Sequence, residues 1–466
     1  MISKTVHNYL RTPVLLLMLA EASILLSAVY VSALVWFDGN ISLFEQQEGP
    51  IAPRAISVAV VMLLSLLSMG LYQFNQRINY QEVIVRVFVG FLIGSSVITV
   101  VCVLLPSVML SRDVSIVAVI YALTLLLAVR FYFVRKVDNN IFKRRSLIYG
   151  AGKRAACISR LRRRADRRGF DLVGMVPAPG DRFLGKADTL FDDDRSLSEL
   201  SADHSVDEII VAMDDRRGNL PVRDLLECKL RGIEVLDLVE FLERESGKIR
   251  VDLVSPGWLI FSPGFRKTRL SRIIKRTVDL LVSAIALVLM LPVLMLTTMA
   301  ILLEDGFHSP ILYRQIRVGL NGETIGILKF RSMRVDAEAD GKAVWATEND
   351  ARITRVGQFI RKARIDELPQ LFNVLRGQMS IVGPRPERPE FVEQLAESVP
   401  YYAERHCVKP GVTGWAQLRY NYGSSEEDSI EKLQYDLYYV KNNNLLLDLV
   451  IMLQTAEVIL WGKGAR

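Results

Sequence analysis

The chain has 466 residues, of which 50% are hydrophobic and only 8% aromatic, and its formal net charge is +7. This length allows two or three domains, and the excess of aliphatic residues is typical of a protein with membrane spans. The positive charge clusters beside apolar runs and no nucleic-acid-binding motif accompanies it, so we expect an anionic membrane surface and no nucleic acid as partner. Four widely spaced cysteines without a CxxC pair exclude a disulfide framework and a zinc site.

The first third of the chain contains apolar stretches of about 20 residues, the length needed to cross a hydrocarbon core. We place them at 13–36, 51–72, 83–105 and 114–134. Basic residues flank the first and last stretches and the loop after the first is acidic, so the positive-inside rule places both ends in the cytoplasm. The sequence therefore predicts a four-helix transmembrane bundle over residues 1–140. We interpret Glu21 as facing the bundle interior and Arg86 as snorkelling from a helix end, without a functional role.

The middle segment, residues 141–262, begins with a short apolar strand that runs into Gly150 and Gly152. Such a strand and glycine loop resemble the opening of a Rossmann-like unit, where a phosphate approaches a helix N-terminus. Later strands are predicted at DLVGMV, DEIIVAM and GIEVLDL. The second strand ends at Val176 without the acid that would bind a ribose hydroxyl. We therefore favour a degenerate Rossmann-like α/β domain with a structural or regulatory role over one that binds a cofactor.

A basic segment, 265–276, leads into an apolar stretch at about 277–303 with Pro292 near its middle. Length alone would make this stretch a fifth span. A true crossing would place basic flanks on both sides of the bilayer, whereas a helix that is kinked at a proline can enter and leave on the same face. We predict a re-entrant helix with its break at Pro292, and a spanning helix is the alternative.

The last third of the chain carries the residues suited to chemistry. The run RKARIDELPQLFNVLRGQMSIVGPRPERPEF sets Asp366 and Glu367 among several arginines. One carboxylate can attack or hold a metal while guanidinium groups bind phosphate oxygens, so this pattern indicates a phosphate-bearing substrate. We expect the acids in the first turn of a helix, whose free amides would also bind phosphate. Arg352, Arg355 and Arg388 belong either to this site or to a lipid-facing surface.

Upstream of the acidic pair, ILYRQIRVGLNGETIGILKFRSM reads as two strands joined by a turn. The AsnGly pair at Asn321 and Gly322 predicts the position of this turn. Lys329 and Arg331 end the second strand at alternating positions, so they share one face of it.

Several motifs in this order resemble the monotopic phosphoglycosyl transferases, or bacterial sugar transferases, which start lipid-linked polysaccharide assembly. They are the basic entry to the apolar helix, RQIRVGLNGETIGILKFRSM, RIDELPQLFNVLRGQMSIVGPRPE and KPGVTGWAQLRY. The resemblance covers Lys267 to the C-terminus. The N-terminal spans and degenerate Rossmann-like domain resemble the large subgroup, which includes undecaprenyl-phosphate glucose phosphotransferases. The ending is similar to exopolysaccharide sugar transferases associated with PEP-CTERM systems.

The resemblance implies a mainly helical catalytic domain over residues 263–466, on the cytoplasmic face of the bacterial inner membrane. It implies transfer of a sugar 1-phosphate from a UDP-sugar to undecaprenyl phosphate, which yields UMP and undecaprenyl-diphospho-sugar in the first membrane step of exopolysaccharide synthesis. Asp366 would attack the sugar-linked phosphorus and form a covalent phosphosugar intermediate. Glu367 would hold the cofactor Mg2+. The residues do not separate glucose from galactose or an N-acetylated sugar.

Matching motif positions imply further site residues and partners. The implied phosphate-binding residues are Lys329, Arg331, Arg361 and Arg385. The residues implied near the nucleotide are Thr413, Gly414 and Gln417. Besides both substrates and the lipid bilayer, the resemblance implies a homodimer and downstream glycosyltransferases as partners.

Two other functional classes stay open at this point. A membrane-anchored nucleotide-sugar dehydratase or epimerase would need a full glycine fingerprint and a catalytic tyrosine and lysine. Tyr149 and Lys153 have the required spacing but sit at the glycine loop itself. A non-catalytic scaffold for polysaccharide assembly is the second alternative.

Overall fold

The computed structural model describes residues 12–69, 71–72, 80–137, 143–159, 169–182, 190–191, 195–215, 220–265, 268–306, 308–334, 352–420 and 425–461. The chain divides into two compact units, Met1–Ser246 and Gly247–Arg466. Unit 1 opens with apolar helices and continues into a parallel sheet, whereas unit 2 is mostly helical.

The helices that open unit 1 agree with the predicted apolar stretches. They are α1 (Thr12–Trp36), α2 (Ile41–Glu48), α3 (Ile51–Ser68), α4 (Tyr80–Leu104) and α5 (Arg112–Val137). Of these described helices, α1, α3, α4 and α5 are long and apolar enough to cross a membrane. α1 packs against α3 and α5, and α4 packs against α3. Buried side chains such as Val29, Phe44 and Val114 fill the space between them.

Charged side chains are buried between these apolar helices. The Glu21 carboxylate of α1 accepts a hydrogen bond from Arg130 of α5 at 2.7 Å and another from the Tyr72 hydroxyl. Glu21 therefore faces the space between the helices, as expected, and the Arg130 guanidinium lies beside it. The expectation that Arg86 snorkels from a helix end is wrong, because its side chain is fully buried and donates to the Met69 carbonyl at 2.6 Å.

The second part of unit 1 has the predicted α/β pattern. Its elements are β1 (Arg144–Tyr149), α6 (Lys153–Ser159), β2 (Phe170–Val176), α7 (Leu197–Asp203), β3 (Glu208–Val211), α8 (Val222–Leu230), β4 (Glu234–Asp237) and α9 (Leu238–Ser246). The described strands form a four-stranded parallel sheet in the order β2-β1-β3-β4. Its core includes Leu147, Ile209 and Val211, which are buried as strands of a parallel sheet usually are.

The glycine loop after β1 binds the protein's own carboxylate. The backbone amides of Lys153 and Arg154 donate to Asp214 at 2.9 and 2.8 Å. A Cβ at Gly152 would lie 2.2 Å from an Asp214 carboxylate oxygen, so the glycine permits this internal contact. The amides that would face a phosphate are thus already bonded, which favours the structural interpretation of the domain. Tyr149, the tyrosine that the dehydratase interpretation would need, is buried in the sheet core.

Unit 2 consists of short strands surrounded by helices. Its elements are α10 (Pro256–Phe261), α11 (Arg269–Asp305), β5 (Leu312–Val318), β6 (Thr324–Phe330), α12 (Arg355–Lys362), α13 (Gln370–Leu375), β7 (Ser380–Val382), α14 (Pro389–Ser398), β8 (Gly411–Thr413), α15 (Trp415–Arg419), α16 (Glu426–Asn442) and α17 (Leu445–Trp461). β5 and β6 form an antiparallel hairpin that reverses at Asn321 and Gly322, both with positive φ. The predicted turn is confirmed, because asparagine and glycine tolerate this conformation.

The apolar helix α11 is continuous over 37 residues and runs through Pro292, so the break that the sequence predicted at this proline is not present. It is long and apolar enough to cross a membrane. Near its start, the Lys275 ammonium lies 2.7 Å from the Asp448 carboxylate of α17. One turn later, Asp279 accepts a hydrogen bond from the Ser380 hydroxyl of β7 at 3.0 Å. The start of the helix is therefore fixed to unit 2 by charged contacts.

The far end of α11 contacts the same unit. Glu304 accepts hydrogen bonds from the first amides of α12, at Arg355 and Val356. Asp305 pairs with Arg331, directly after β6, at 2.7 Å. A straight helix of this length would extend about 55 Å, yet both of its ends pack on one compact unit while its central side chains are exposed.

Candidate active site

Asp366 and Glu367 lie on a short 3-10 turn, Ile365–Glu367, between α12 and α13. The chain enters this turn through Arg364, whose backbone is left-handed with φ 54°. The expectation that the acids lie where a second helix begins is confirmed, because both occupy this 3-10 turn and α13 follows it at Gln370. Proline is best tolerated at the start of a helix, and the proline that precedes Gln370 fixes this start.

Glu367 is held by two cations. Arg385 donates to one Glu367 carboxylate oxygen at 2.9 Å, and the Lys329 ammonium lies 3.6 Å from the same oxygen. Burial favours the neutral acid, but the charges of Arg385 and Lys329 outweigh it and lower the pKa of Glu367 to about 2. Glu367 is therefore ionised at neutral pH and fixes both cations at the site.

Asp366 has a different environment from its neighbour. It forms no hydrogen bond or ion pair with the described residues and is half-buried. Burial and the Glu367 charge raise the pKa of Asp366 to about 6, although Lys329, Arg361 and Arg385 oppose the shift. Because its oxygens are not engaged by a described side chain, Asp366 is the acid that can contact a ligand.

Asp366 lines a cavity of about 790 Å³ within unit 2. The structure brings every predicted phosphate-binding residue to the wall of this cavity, namely Lys329, Arg331, Arg361 and Arg385. Arg352 and Arg388, which the sequence assigned either to the site or to a lipid-facing surface, line the same cavity. The wall around Asp366 is therefore strongly basic, which suits a ligand with more than one phosphate.

Arg331 is poised for a further acceptor. Its side chain is 7% exposed, and one guanidinium nitrogen lies 2.7 Å from Asp305. Its Nε and Nη1 are buried and have no hydrogen-bond acceptor among the described residues. Buried donors without acceptors are unfavourable, so an anionic group entering the cavity would satisfy them.

Of the three residues predicted near the nucleotide, one lines the cavity and two do not. Gln417 lines the cavity, and its buried amide nitrogen has no acceptor among the described residues. Thr413 and Gly414 are outside the described cavity lining. The Thr413 hydroxyl is 2.7 Å from the Thr455 hydroxyl of α17, and Gly414 packs on the backbone of Gly383.

The structure adds residues that the sequence reasoning missed. Arg317 of β5, Tyr402, Arg405 and Asp436 of α16 all line the cavity. Burial and the nearby Arg385 and Arg388 charges lower the pKa of Arg317 to about 10, although Glu387 opposes the shift. Asp436 could have been found from the sequence, because it is a charged residue on the apolar helix face that carries Leu433 and Leu437. A charge at such a position indicates a specific partner.

The acidic pair also fits a magnesium site. The described residues contain no group of three or more His, Cys, Asp or Glu side chains that could hold a metal. Mg2+, however, is commonly bound by one or two carboxylates together with substrate phosphates. Glu367 supplies such a carboxylate, because Arg385 and Lys329 contact only one of its two oxygens, so the donor set fits.

Comparison with known proteins identifies the family. The family model for bacterial sugar transferases matches residues 270–462. A putative undecaprenyl-phosphate N-acetylgalactosaminyl 1-phosphate transferase of Bacillus subtilis is 48% identical over 132 residues, which are 28% of this chain and 72% of that protein. This chain belongs to the bacterial sugar transferase family. The matched range of this family member contains the acidic pair and most of the cavity wall.

Two longer relatives match a larger share of this chain. A UDP-N-acetylgalactosamine-undecaprenyl-phosphate N-acetylgalactosaminephosphotransferase of Aeromonas hydrophila is 41% identical over 247 residues, 52% of this chain and 56% of that protein. An undecaprenyl-phosphate glucose phosphotransferase of Komagataeibacter xylinus is 32% identical over 329 residues, 69% of this chain and 60% of that protein. The chain thus spans about half the length of these relatives.

The basic cavity predicts diphosphate binding that depends on Arg385. We expect Arg385→Gln to weaken the binding of inorganic pyrophosphate by about 10- to 100-fold, because a charge-assisted contact is lost and Glu367 loses its closest cation. Titration calorimetry on the purified full chain in detergent measures this affinity. Arg376→Gln is the matched control, because Arg376 is exposed and outside the cavity wall. Equal losses in both variants would contradict the site.

Proposed function

We propose that this chain transfers a sugar 1-phosphate from a UDP-sugar to undecaprenyl phosphate, which gives undecaprenyl-diphospho-sugar and UMP. The observation that carries the proposal is the position of Asp366, a carboxylate without a described partner that faces a basic cavity of about 790 Å³. A nucleoside diphosphate sugar needs both features, because an anionic nucleophile can approach a diphosphate only where cations screen the repulsion. The family to which the chain belongs supports the same reaction.

In the first step, an Asp366 oxygen attacks the sugar-linked phosphorus of the donor. A phosphorus–carboxylate bond forms, the bond to the bridging oxygen breaks, and UMP leaves with that electron pair. Lys329, Arg361 and Arg385 surround the attacking carboxylate and bind the charge that develops on the phosphate oxygens. No proton has to be removed from an ionised carboxylate before it attacks.

In the second step, a phosphate oxygen of undecaprenyl phosphate attacks the same phosphorus. The bond to Asp366 breaks, and the carboxylate is regenerated. Arg331 is suited to hold the incoming phosphate, because it has buried donors without acceptors and is paired with Asp305 at the end of the apolar helix α11. The lipid substrate would reach the cavity along such an apolar element.

We further propose that Glu367, with the substrate phosphates, holds Mg2+ at this site. The ion would supply additional positive charge to screen the repulsion that the diphosphate presents to an attacking carboxylate. Glu367 suits this role because the cations around it keep it ionised, so it can bind a metal over the whole physiological pH range.

The arrangement of α11 supports a re-entrant helix on the cytoplasmic face of a bacterial inner membrane. Lys275 near its start and Asp305 at its end both contact unit 2, and the helix contains Pro292. A helix whose two ends both contact the other elements of unit 2 is most simply inserted from one side. The apolar helices of unit 1 would form the transmembrane bundle, with the orientation given by the positive-inside rule.

The names of the relatives support the class of substrate, but they differ in the sugar that they name. The Aeromonas relative is named for N-acetylgalactosamine and the Komagataeibacter relative for glucose. The transferred sugar therefore has to be measured. The homodimer and the downstream glycosyltransferases stay predictions.

The nucleophile assignment predicts that Asp366→Asn abolishes transfer. We expect a loss of roughly 1,000-fold or more, because the amide cannot form the covalent intermediate. Membranes containing the chain are incubated with undecaprenyl phosphate, Mg2+ and a panel of radiolabelled UDP-sugars, and the Asp366 peptide is checked for the mass of one sugar phosphate. Asp252→Asn, an acid outside the cavity wall, is the matched control. Full transfer by Asp366→Asn, or none by the unsubstituted chain with any sugar, would favour the scaffold alternative.

The raised pKa of Asp366, about 6, predicts the pH dependence of the first step. Only the ionised carboxylate attacks, so the rate of UMP release without lipid acceptor should rise about tenfold between about pH 4.5 and 5.5 and level off above about pH 7. Stopped-flow or quenched-flow measurement of UMP gives this profile. Arg385→Gln should move the midpoint upward, because one of the cations that favour the ionised form is removed. A rate that stays constant between about pH 4.5 and 7 would contradict the assignment.

The re-entrant proposal predicts that both ends of α11 face the cytoplasm. In a variant without native cysteines, Arg269→Cys and His308→Cys should both react with a membrane-impermeant maleimide in inverted vesicles and not in right-side-out vesicles. Ser42→Cys, in the short helix α2 that follows the first apolar helix, should give the opposite pattern and serves as the control. Labelling of the two α11 positions from opposite sides would establish a spanning helix instead.

A further inference from the structure

A buried ion pair joins α16 to the cavity wall. The Arg405 guanidinium lies 2.7 Å from the Asp436 carboxylate, and the two side chains are only 6% and 2% exposed. Arg405 lies on the 3-10 turn Tyr402–Cys407, far from the acidic pair in sequence. A buried ion pair is weak evidence for stability alone, because the loss of hydration offsets most of the attraction between the charges. Its position therefore suggests a role at the site.

The contacts of Arg405 lead to Arg385. One terminal nitrogen donates to the Arg385 backbone carbonyl at 3.0 Å. The other donates to the Tyr402 hydroxyl at 2.7 Å. The Asp436 carboxylate and the Arg385 carbonyl thus contact the same terminal nitrogen, Nη2, and the Tyr402 hydroxyl contacts Nη1. The planar Arg405 group acts as a bridge from helix α16 to the backbone that carries Arg385.

Arg385 continues the chain of contacts to the reacting carboxylates. Its guanidinium donates to Glu367 at 2.9 Å, next to Asp366 in the sequence. Asp436, Arg405, Arg385 and Asp366 all line the same cavity. A phosphate-binding arginine has a long, flexible side chain. A small displacement of its guanidinium group from the phosphate lowers the reaction rate strongly.

We propose that Arg405 and Asp436 are positioning residues that fix the backbone of Arg385 and so aim its guanidinium at Glu367 and the donor diphosphate. This inference rests on the proposed function and adds two residues to it. Asp436 fixes the orientation of Arg405, and Arg405 holds the Arg385 carbonyl. Neither residue has to contact the diphosphate for this effect.

A double-mutant cycle between positions 405 and 385 tests the proposal. Arg405→Lys keeps the charge but loses the planar bridge, and Arg385→Lys loses the fork that binds the diphosphate. We expect each single variant to weaken UDP binding and to slow UMP release by about tenfold or more. If Arg405 acts through Arg385, the double variant should be within about twofold of Arg385→Lys alone. Multiplicative losses in the double variant, or no loss in Arg405→Lys, would overturn the proposal.

Asp436→Asn provides a second variant that keeps the shape of the side chain. Like Arg405→Lys, it should reduce UDP affinity, and its effect on that affinity should not add to the effect of Arg385→Lys. Glu431→Gln is the matched control, because Glu431 is on the same helix and pairs with Lys248 outside the cavity wall. The thermal stability of each variant, measured in detergent, separates a folding defect from a loss of binding. If the unsubstituted chain binds UDP without transferring a sugar phosphate, the proposed function fails, while the cycle in UDP affinity still decides this inference.

Discussion

The site depends on the interaction of Glu367 with Arg385 and Lys329. Two adjacent carboxylates in a confined space repel each other, so nearby cations must balance their charge if both are to be ionised. Here the two cations contact Glu367, whereas Asp366 forms no bond to a described side chain. The pKa of Glu367 falls to about 2 and that of Asp366 rises to about 6, so the environments give two neighbouring acids different roles.

Distant segments of unit 2 meet to build this arrangement. The hairpin of β5 and β6 brings Lys329, and the segment after β7 brings Arg385. Asn373 of α13 is fully buried and bonds the backbone of β6 at Gly326 and Leu328, at 2.8 and 2.9 Å. This side-chain amide fixes the strand that carries the lysine relative to the helix that follows the acids, so buried polar contacts outside the cavity determine the spacing inside it.

The apolar helix α11 ends at the cavity wall. Charged residues fix both of its ends to unit 2, and its final acid, Asp305, holds Arg331 at the cavity wall. The proposed reaction, between a water-soluble nucleotide sugar and a lipid phosphate, requires a site that is accessible from both environments. A basic cavity at the end of an exposed apolar helix fits this requirement, because phosphates would lie among the arginines and a lipid chain along the helix.

The sequence by itself determined the apolar helices, the parallel strands, the AsnGly turn and the acidic pair with its arginines, because these follow from local composition, periodicity and turn chemistry. Only the tertiary structure decided that Asp214 occupies the glycine loop, that Gln417 and not Thr413 lines the cavity, and that Arg405 pairs with Asp436. Each of these facts is a contact between segments far apart in the chain. Local patterns carry no record of such contacts, since packing over the whole unit selects which buried polar groups face each other.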